Sequence, residues 1–162
     1  MFRIALGCVV GMLSAAPVFA QQPPAPPAQA PAQQPAAQQN PFVFPGDGGV
    51  ILNFVKADKT ADFEMILGKV KEALGKSEKP ERKQQATGWK VFKASEAGPN
   101  GAVIYAFVLD PVVKGADYSV GNILVEGFGA EGQTLYKTYS ESFGTPAIGA
   151  LLHLTAALDL GK

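Results

Sequence analysis

The stretch GAVIYAFVLDP at residues 101–111 decides the fold, because its apolar residues do not alternate with polar ones. Successive side chains of a strand point to opposite faces, so Tyr105 and Phe107 share one face and Ile104 and Val108 share the other. A strand that is apolar on both faces has to be covered on both faces. The rest of the chain must therefore supply two covering layers.

Residues 50–56 predict a second strand of the same kind. Val50, Leu52 and Phe54 share one face, while Asn53 is the polar exception on the face of Ile51 and Val55. A helix follows, with Thr60 as its expected N-cap and Gly75 as its end. Its apolar residues recur at helical spacing and form one stripe: Phe63, Ile66, Leu67, Val70 and Leu74.

Residues 77–85 are polar and predict a loop or a single helical turn at Pro80. Residues 87–94 predict a strand whose lysines suit an edge position, and the turn at residues 98–101 joins it to the next strand as an antiparallel hairpin. Further along, residues 116–128 and 135–143 have helical spacing, and we interpret them as two helices with a bend.

Leucine and alanine alternate with other residues along 151–160, and a period of two predicts a half-buried strand. A helix is the alternative, since Leu and Ala favour helices. The order of elements then predicts an α+β fold of the ferredoxin-like βαββαβ type over residues 46–162. This fold has an antiparallel sheet of order 4-1-3-2 with helices on one face. Its central strands are the first and third, the two that are apolar on both faces.

Residues 1–20 have the pattern of a secretory signal peptide, with Arg3, an apolar run, and cleavage after Ala20. The apolar run is too short for a stable membrane anchor. A lipoprotein signal at Cys8 is the competing interpretation, but Ala5 stands where such signals place Leu. We expect export to the periplasm, with secretion as the alternative.

Residues 21–45 consist almost entirely of Pro, Ala and Gln without a charge, so they predict a disordered linker. A proline-rich ligand for a partner is the alternative. Phe42 and Phe44, at the end of this stretch, are placed to dock on the domain.

Charge and cysteine content exclude several classes of function. The chain has 14 basic and 14 acidic residues, which gives no electrostatic reason to expect nucleic acid or an anionic membrane as a partner. Cys8 is the only cysteine and leaves with the signal peptide, so disulfides, cysteine zinc sites and thiol nucleophiles are excluded from the mature chain. We expect no metal and no cofactor.

Helices on one face leave the other face of the sheet open. We expect that face to expose Ile51, Val55 and their neighbours, and a soluble monomer rarely leaves such a patch uncovered. A second copy packed sheet against sheet covers it, which predicts a two-fold homodimer. The alternative is a monomer in which residues 42–45 or a ligand cover the face.

The sequence LNFVK at residues 52–56, followed by Asp62, Phe63 and Glu64, resembles the dimeric α+β barrel group, which includes antibiotic-biosynthesis-monooxygenase-like domains. Members of that group resembling haem-degrading enzymes use an Asn on the first strand with a Trp and a His. Asn53 stands in a matching place. Trp89 on the second strand and His153 on the last strand do not match that pattern, so the resemblance assigns no catalytic residue.

Four residues are our candidates for ligand binding: Asn53, Trp89, Tyr105 and His153. The lone histidine is otherwise an exposed residue of a polar strand face, and the aromatic residues are otherwise core. Gly127, Gly129 and Gly132 match a dinucleotide fingerprint by letters, but they follow a predicted helix and indicate a helix break. Asp110 and Asp117 could form an acid–base pair, although a turn residue and a helix cap explain them better.

We expect an exported, non-catalytic domain that binds a small apolar ligand or a protein partner. The alternative is a cofactor-independent, monooxygenase-like enzyme, and a third candidate is a purely structural dimer. An enzyme should have a closed cavity lined by Asn53 and a polar or titratable neighbour. A binding domain should have a cavity with apolar walls only, and a structural protein should have none.

Overall fold

The computed structural model describes residues 40–158 and residue 160. The predicted signal peptide and most of the predicted linker lie outside the described residues. The strands are β1 (Gly48–Val55), β2 (Trp89–Ala97), β3 (Val103–Leu109) and β4 (Phe143–Leu154). The α-helices are α1 (Thr60–Lys76), α2 (Pro80–Gly88), α3 (Val120–Phe128) and α4 (Ala130–Glu141).

The strands form one open, antiparallel, four-stranded sheet in the order β2-β3-β1-β4. The α+β class and the antiparallel sheet are therefore confirmed. The two strands that are apolar on both faces, β1 and β3, are the central ones, and the strands with lysines or the histidine are the edges. The β2–β3 hairpin closes through residues 98–101, where Asn100 and Gly101 have positive φ.

The helices cover one face of the sheet, which we call the covered face. Ile51, Tyr105 and Phe107 are each at most 2% exposed there, and they belong to one core with Phe63 of α1 and Leu124 of α3. On the other face, which we call the open face, no side chain of the central strands is fully buried. Its apolar side chains are Val50, Leu52, Phe54, Phe92, Ile104, Ala106, Val108, Ala150, Leu152 and Leu154.

The expectation that Ile51 and Val55 line the open face is therefore wrong. Both are buried in the core, at 2% and 0% exposure, because the chain leaving β1 at Val55 turns into α1 over their side of the sheet. Their neighbours Leu52 and Phe54 point the other way. Apolarity alone gave no means of choosing between two equally apolar faces.

Residues 80–88, expected as a loop or a single helical turn followed by the start of a strand, form helix α2 instead. Pro80 begins it, a position where a missing N–H costs nothing. Buried Arg82 and Gln85 hold it in place: both donate to the carbonyl of Asp117, and Arg82 also pairs with Glu126 of α3 at 3.0 Å. At α1, Thr60 is the first helical residue rather than its cap, and its hydroxyl donates to the Ala57 carbonyl.

The last strand was predicted correctly in kind but not in position. β4 begins at Phe143, well before the leucine-rich alternation, and it ends at Leu154, so residues 155–158 are not a strand. Gly48, the first residue of β1, pairs with Leu154, and no residue of β1 is left to pair beyond it. Pro146 lies inside β4, which an edge strand tolerates.

Phe42 and Phe44 pack on the domain, as expected. Phe44 is fully buried, with its ring 5.6 Å from that of Tyr118 and 4.8 Å from that of His153. The Tyr118 amide donates to the Phe42 carbonyl at 2.9 Å. The packed chain thus starts before the predicted boundary at Gly46. Because Phe44 lies over Gly49 on the covered face, this segment does not cover the open face.

Candidate functional site

A cavity of about 920 Å³ opens between the covered face of β1 and β4 and the helices α3 and α4. Much of its wall is aromatic, contributed by Phe42, Phe107, Tyr118, Tyr136, Tyr139 and Phe143. Its polar groups include Asn53 on the sheet and Gln133 and Ser140 on α4. The volume lies in the range typical of small-molecule sites.

Irregular pairing of β4 helps to open this cavity. Asn53 of β1 pairs with Ile148, and the register shifts on both sides of that pair. Gly149 is an extra residue on one side, and on the other side residues 144–147 oppose Phe54 alone. Bulges of this kind often occur beside binding sites, where they interrupt pairing and redirect side chains. Gly144 and Ala147, within the interruption, line the cavity.

Asn53 lies in the cavity wall at 2% exposure. Its Nδ2 donates to the carbonyls of Ile51 and Tyr105, each over a long 3.4 Å. No described residue donates a hydrogen bond to its Oδ1. An acceptor without a partner beside a packed core is unfavourable, which makes the Asn53 oxygen a candidate for a hydrogen bond from a ligand.

Tyr139 of α4 is the second buried polar group of the wall, at 9% exposure. Its ring packs edge-on against Phe143 at 4.8 Å and stacks on Phe63 at 5.6 Å. Burial raises the pKa of its hydroxyl, so this group stays protonated at neutral pH. Within the described residues its hydroxyl makes no hydrogen bond.

The cavity wall is electrically neutral over the part of the chain that the structure describes, with no Asp, Glu, Lys, Arg or His among its residues. Asp117 lies behind the mouth and accepts hydrogen bonds from Asn40, Ser119 and Asn122, which do line the cavity. Burial opposes the charge of Asp117, but these hydrogen bonds outweigh it and lower the pKa of its carboxyl.

Of the four predicted ligand-binding residues, Asn53 alone lines this cavity. Tyr105 pairs with Asn53 across the strands, but its hydroxyl reaches the other way and donates to Glu64 of α1. Lys93 also contacts that carboxylate, at 3.0 Å. The hydrogen bonds from Tyr105 and Lys93 lower the pKa of the Glu64 carboxyl. The hydroxyl of Tyr105 is therefore already engaged in a structural contact.

Trp89 and His153 belong to the same line of paired residues across the sheet, which is not the line that contains Asn53. Trp89 pairs with Leu109, Leu109 with Gly49, and Gly49 with His153, so the backbones of Trp89 and His153 are three strand spacings, or about 14 Å, apart. Phe44 and Tyr118 fill the space between them through aromatic contacts. The structure thus does not bring Asn53, Trp89 and His153 into one pocket.

Trp89 Nε1 is the one fully buried side-chain nitrogen or oxygen of the described residues that has no hydrogen-bond partner. Its ring packs edge-on against Phe107 and Tyr118, each at 5.5 Å. Such aromatic contacts stabilise the core around an unpaired N–H. His153, by contrast, is exposed and borders a shallow pocket with Asn40 and Pro41.

Sequence reasoning missed Tyr139, Gln133 and the interrupted part of β4. The helical spacing of Tyr136 and Tyr139 was visible, but it indicates core packing as readily as a cavity wall. A glycine or proline within a strand is the sequence signal of a bulge, and Pro146 and Gly149 carried it. The strand predicted along residues 151–160 leaves both residues outside it.

The remaining motifs have structural explanations. Gly129, at a φ of +57°, separates α3 from α4, so the glycine-rich motif is the expected helix break. Asp110 is an exposed residue after β3, and Asp117 organises the turn before α3 by accepting from the Ser119 amide at 2.8 Å. Over residues 40–158, no three His, Cys, Asp or Glu side chains come close enough to hold a metal ion.

No helix among the described residues is long and apolar enough to cross a membrane. No protein-family model matches the sequence, and no curated protein and no solved structure shows significant similarity to it. Function therefore has to be inferred from the geometry of the chain itself.

Proposed function

We propose that this chain is an exported, periplasmic domain that binds a small, largely apolar ligand in the cavity between the sheet and helices α3 and α4. One observation carries the proposal: a cavity of about 920 Å³ with an aromatic wall contains a buried amide, Asn53, whose oxygen accepts no hydrogen bond from any described residue. Concave sites with apolar walls and a few convergent polar groups are the usual form of small-molecule sites.

The electrostatics of the wall favour binding over catalysis. General acid–base chemistry near neutral pH needs a group whose pKa lies near the working pH. The titratable groups of the wall are tyrosines, and burial raises the pKa of Tyr139 away from neutrality. The cavity is also open at its mouth, whereas an enzyme should enclose its substrate.

The monooxygenase-like alternative keeps one supporting observation. Asn53 does line the cavity with polar neighbours, as we expected of an enzyme rather than of a plain apolar pocket. Oxygen consumption in the presence of a bound ligand, abolished in an Asn53→Ala variant that still binds, would favour that alternative.

Titration of the mature chain with Nile red, a neutral apolar dye, tests ligand binding. We expect a saturable rise in fluorescence at one dye per chain. Ala147→Trp places a large side chain in the cavity wall and should weaken binding at least tenfold. Ala97→Trp, at the exposed end of β2, is the control and should bind normally. Equal binding by both variants, or no saturable binding, would contradict the proposal.

We further propose that the fold is ferredoxin-like. The neighbour order β2-β3-β1-β4, counted from the β4 edge, is 4-1-3-2, and helices α1 and α3 pack against the same face of the sheet. Membership in the dimeric α+β barrel group stays a prediction from sequence resemblance.

A second copy of the chain is the occupant that we propose for the open face. Phe92 and Leu152 are 54% and 49% exposed there, beside the partly buried apolar residues of β1 and β3. Exposed apolar surface of this kind is typical of interaction sites. The segment that could have covered the face, residues 42–45, packs on the covered face instead.

Light scattering after gel filtration tests the dimer. We expect twice the chain mass for the wild type and a monomer for Leu152→Glu, because a charge on this face would be buried in the interface. Met65→Glu, on an exposed position of α1, is the matched control and should stay dimeric. A monomeric wild type would refute the proposal.

A further inference from the structure

We infer that the ligand of this cavity is a neutral aromatic compound that carries an O–H or N–H group, and that this group donates a hydrogen bond to Oδ1 of Asn53. The inference rests on the proposed function and specifies the chemistry of the same site.

The orientation of the Asn53 amide follows from its partners. Its nitrogen faces two backbone carbonyls, of Ile51 and Tyr105, and carbonyls can only accept, so the group that faces them is the NH₂ group. The other end of the amide is therefore the oxygen, an acceptor. A ligand that satisfies it has to bring a donor.

The Asn53 oxygen is also accessible. Among the described residues, Trp89 Nε1 is the one side-chain nitrogen or oxygen that is both sealed from solvent and unpaired. Asn53 Oδ1, which has no partner either, is thus not sealed, and the space open to it is the cavity that its residue lines. The register shifts on both sides of the Asn53–Ile148 pair interrupt the sheet at this point.

The charge of the ligand follows from the wall. No basic side chain among the described residues lines the cavity to pair with an anion, and the nearby Asp117 carboxylate already accepts from Asn40, Ser119 and Asn122. Moving an unpaired charge into such a site is strongly unfavourable, because the charge loses its water and gains no partner. A neutral ligand avoids this cost.

The aromatic character follows from the side chains that surround the space. Phe107 and Phe143 come from the sheet and Tyr136 and Tyr139 from α4, and all four line the cavity. Flat rings pack favourably against such side chains in offset or edge-on arrangements. An aromatic ring with one donor group therefore matches both the wall and the Asn53 oxygen.

Three naphthalene probes separate these requirements: 2-naphthol has a donor, 2-methoxynaphthalene has only an acceptor, and 2-naphthoate is an anion. We expect the wild-type protein to bind 2-naphthol about tenfold or more tightly than 2-methoxynaphthalene, because the latter leaves the Asn53 oxygen unpaired. We expect 2-naphthoate to bind most weakly. Calorimetric titration of the full mature chain measures all three dissociation constants.

Asn53→Leu removes the acceptor at similar volume and should bring the ratio of the two neutral probes to about one. Gln84→Leu removes an exposed amide from α2, outside the cavity wall, and should keep the wild-type ratio. If Asn53→Leu does not fold, the comparison of probes in the wild type still decides the matter.

Equal affinity of the wild type for 2-naphthol and 2-methoxynaphthalene, or tighter binding of 2-naphthoate, would overturn this inference while leaving cavity binding intact. If none of the three probes binds, the inference and the proposed function both fail.

Discussion

The two faces of the sheet have similar composition and very different surroundings. Phe107 on the covered face is 1% exposed, while Phe92, on the neighbouring strand but on the open face, is 54% exposed. Along β1, Ile51 is buried and Leu52 is only partly so. Apolar side chains on a strand thus indicate that its face has to be covered by another layer. The connections between elements decide which of the two faces the helices of the same chain cover.

Truncation of one aromatic residue on each face should give the largest difference in stability between the two faces. Phe107→Ala should lower the free energy of unfolding by about 3–5 kcal/mol, because it leaves a cavity in a packed core. Phe92→Ala should change it by about 1 kcal/mol or less in the monomer, since that ring is half exposed. Urea denaturation at a protein concentration where light scattering reports monomer measures both. Similar losses would mean that the two faces are equally covered.

Adjacent glycines at the start of β1 sharpen the comparison. A Cβ at Gly49 would stand 2.4 Å from the ring of Phe44, which is enclosed between Tyr118 and His153. A Cβ at Gly48 would be 3.2 Å from the Leu109 carbonyl oxygen, a contact that a small shift relieves. Gly49→Ala should therefore cost about 1–3 kcal/mol and Gly48→Ala about 1 kcal/mol or less. Equal thermal unfolding temperatures for the two variants would contradict the packing of Phe44.

The smallest expected effect is a dependence of stability on pH in the helical layer of the covered face. The hydrogen bond from Arg82 lowers the pKa of Glu126 below its ordinary value of 4.5. The unfolded chain then binds more protons than the folded chain in this range, so the stabilisation is complete above about pH 4.5 and is lost as pH falls through the folded value.

We expect Glu126 to contribute about 1 kcal/mol to this loss, because its side chain is 28% exposed and partly screened. Urea midpoints between pH 7 and pH 3 measure the effect, and Glu126→Gln should flatten the curve by that amount. A curve for the variant that coincides with that of the wild type would show that the Arg82–Glu126 pair does not stabilise the fold.

Much of the fold was predictable because the decisive signals are local. Apolar residues on both faces identified β1 and β3 as central strands, the stripe from Phe63 to Leu74 identified α1, and Gly129 marked the break between α3 and α4. Helix α2 was not predicted, because its residues are mostly polar and form no apolar stripe. Its position depends on partners distant in sequence, since Asp117 and Glu126 hold Arg82. No local pattern reports a contact of that range.

Asn53 is the one residue of the candidate site that was predicted from the sequence. Asn53 was visible as the polar exception in an apolar strand. The rest of the wall comes from α3, α4 and the interrupted half of β4, which meet around Asn53 only after folding. Trp89 and Tyr105 share aromatic character with the true wall, but Tyr105 is engaged by Glu64 and Trp89 lies in another row of the sheet.

The kind and order of most elements, and the identity of the central strands, follow from the amino acids alone, because periodicity and apolarity act within a few residues. The tertiary structure alone decided which face the helices cover, where Phe44 packs and where the cavity opens. Those outcomes depend on chain connections and on register shifts between strands far apart in sequence. Neither of these produces a periodic pattern in the sequence.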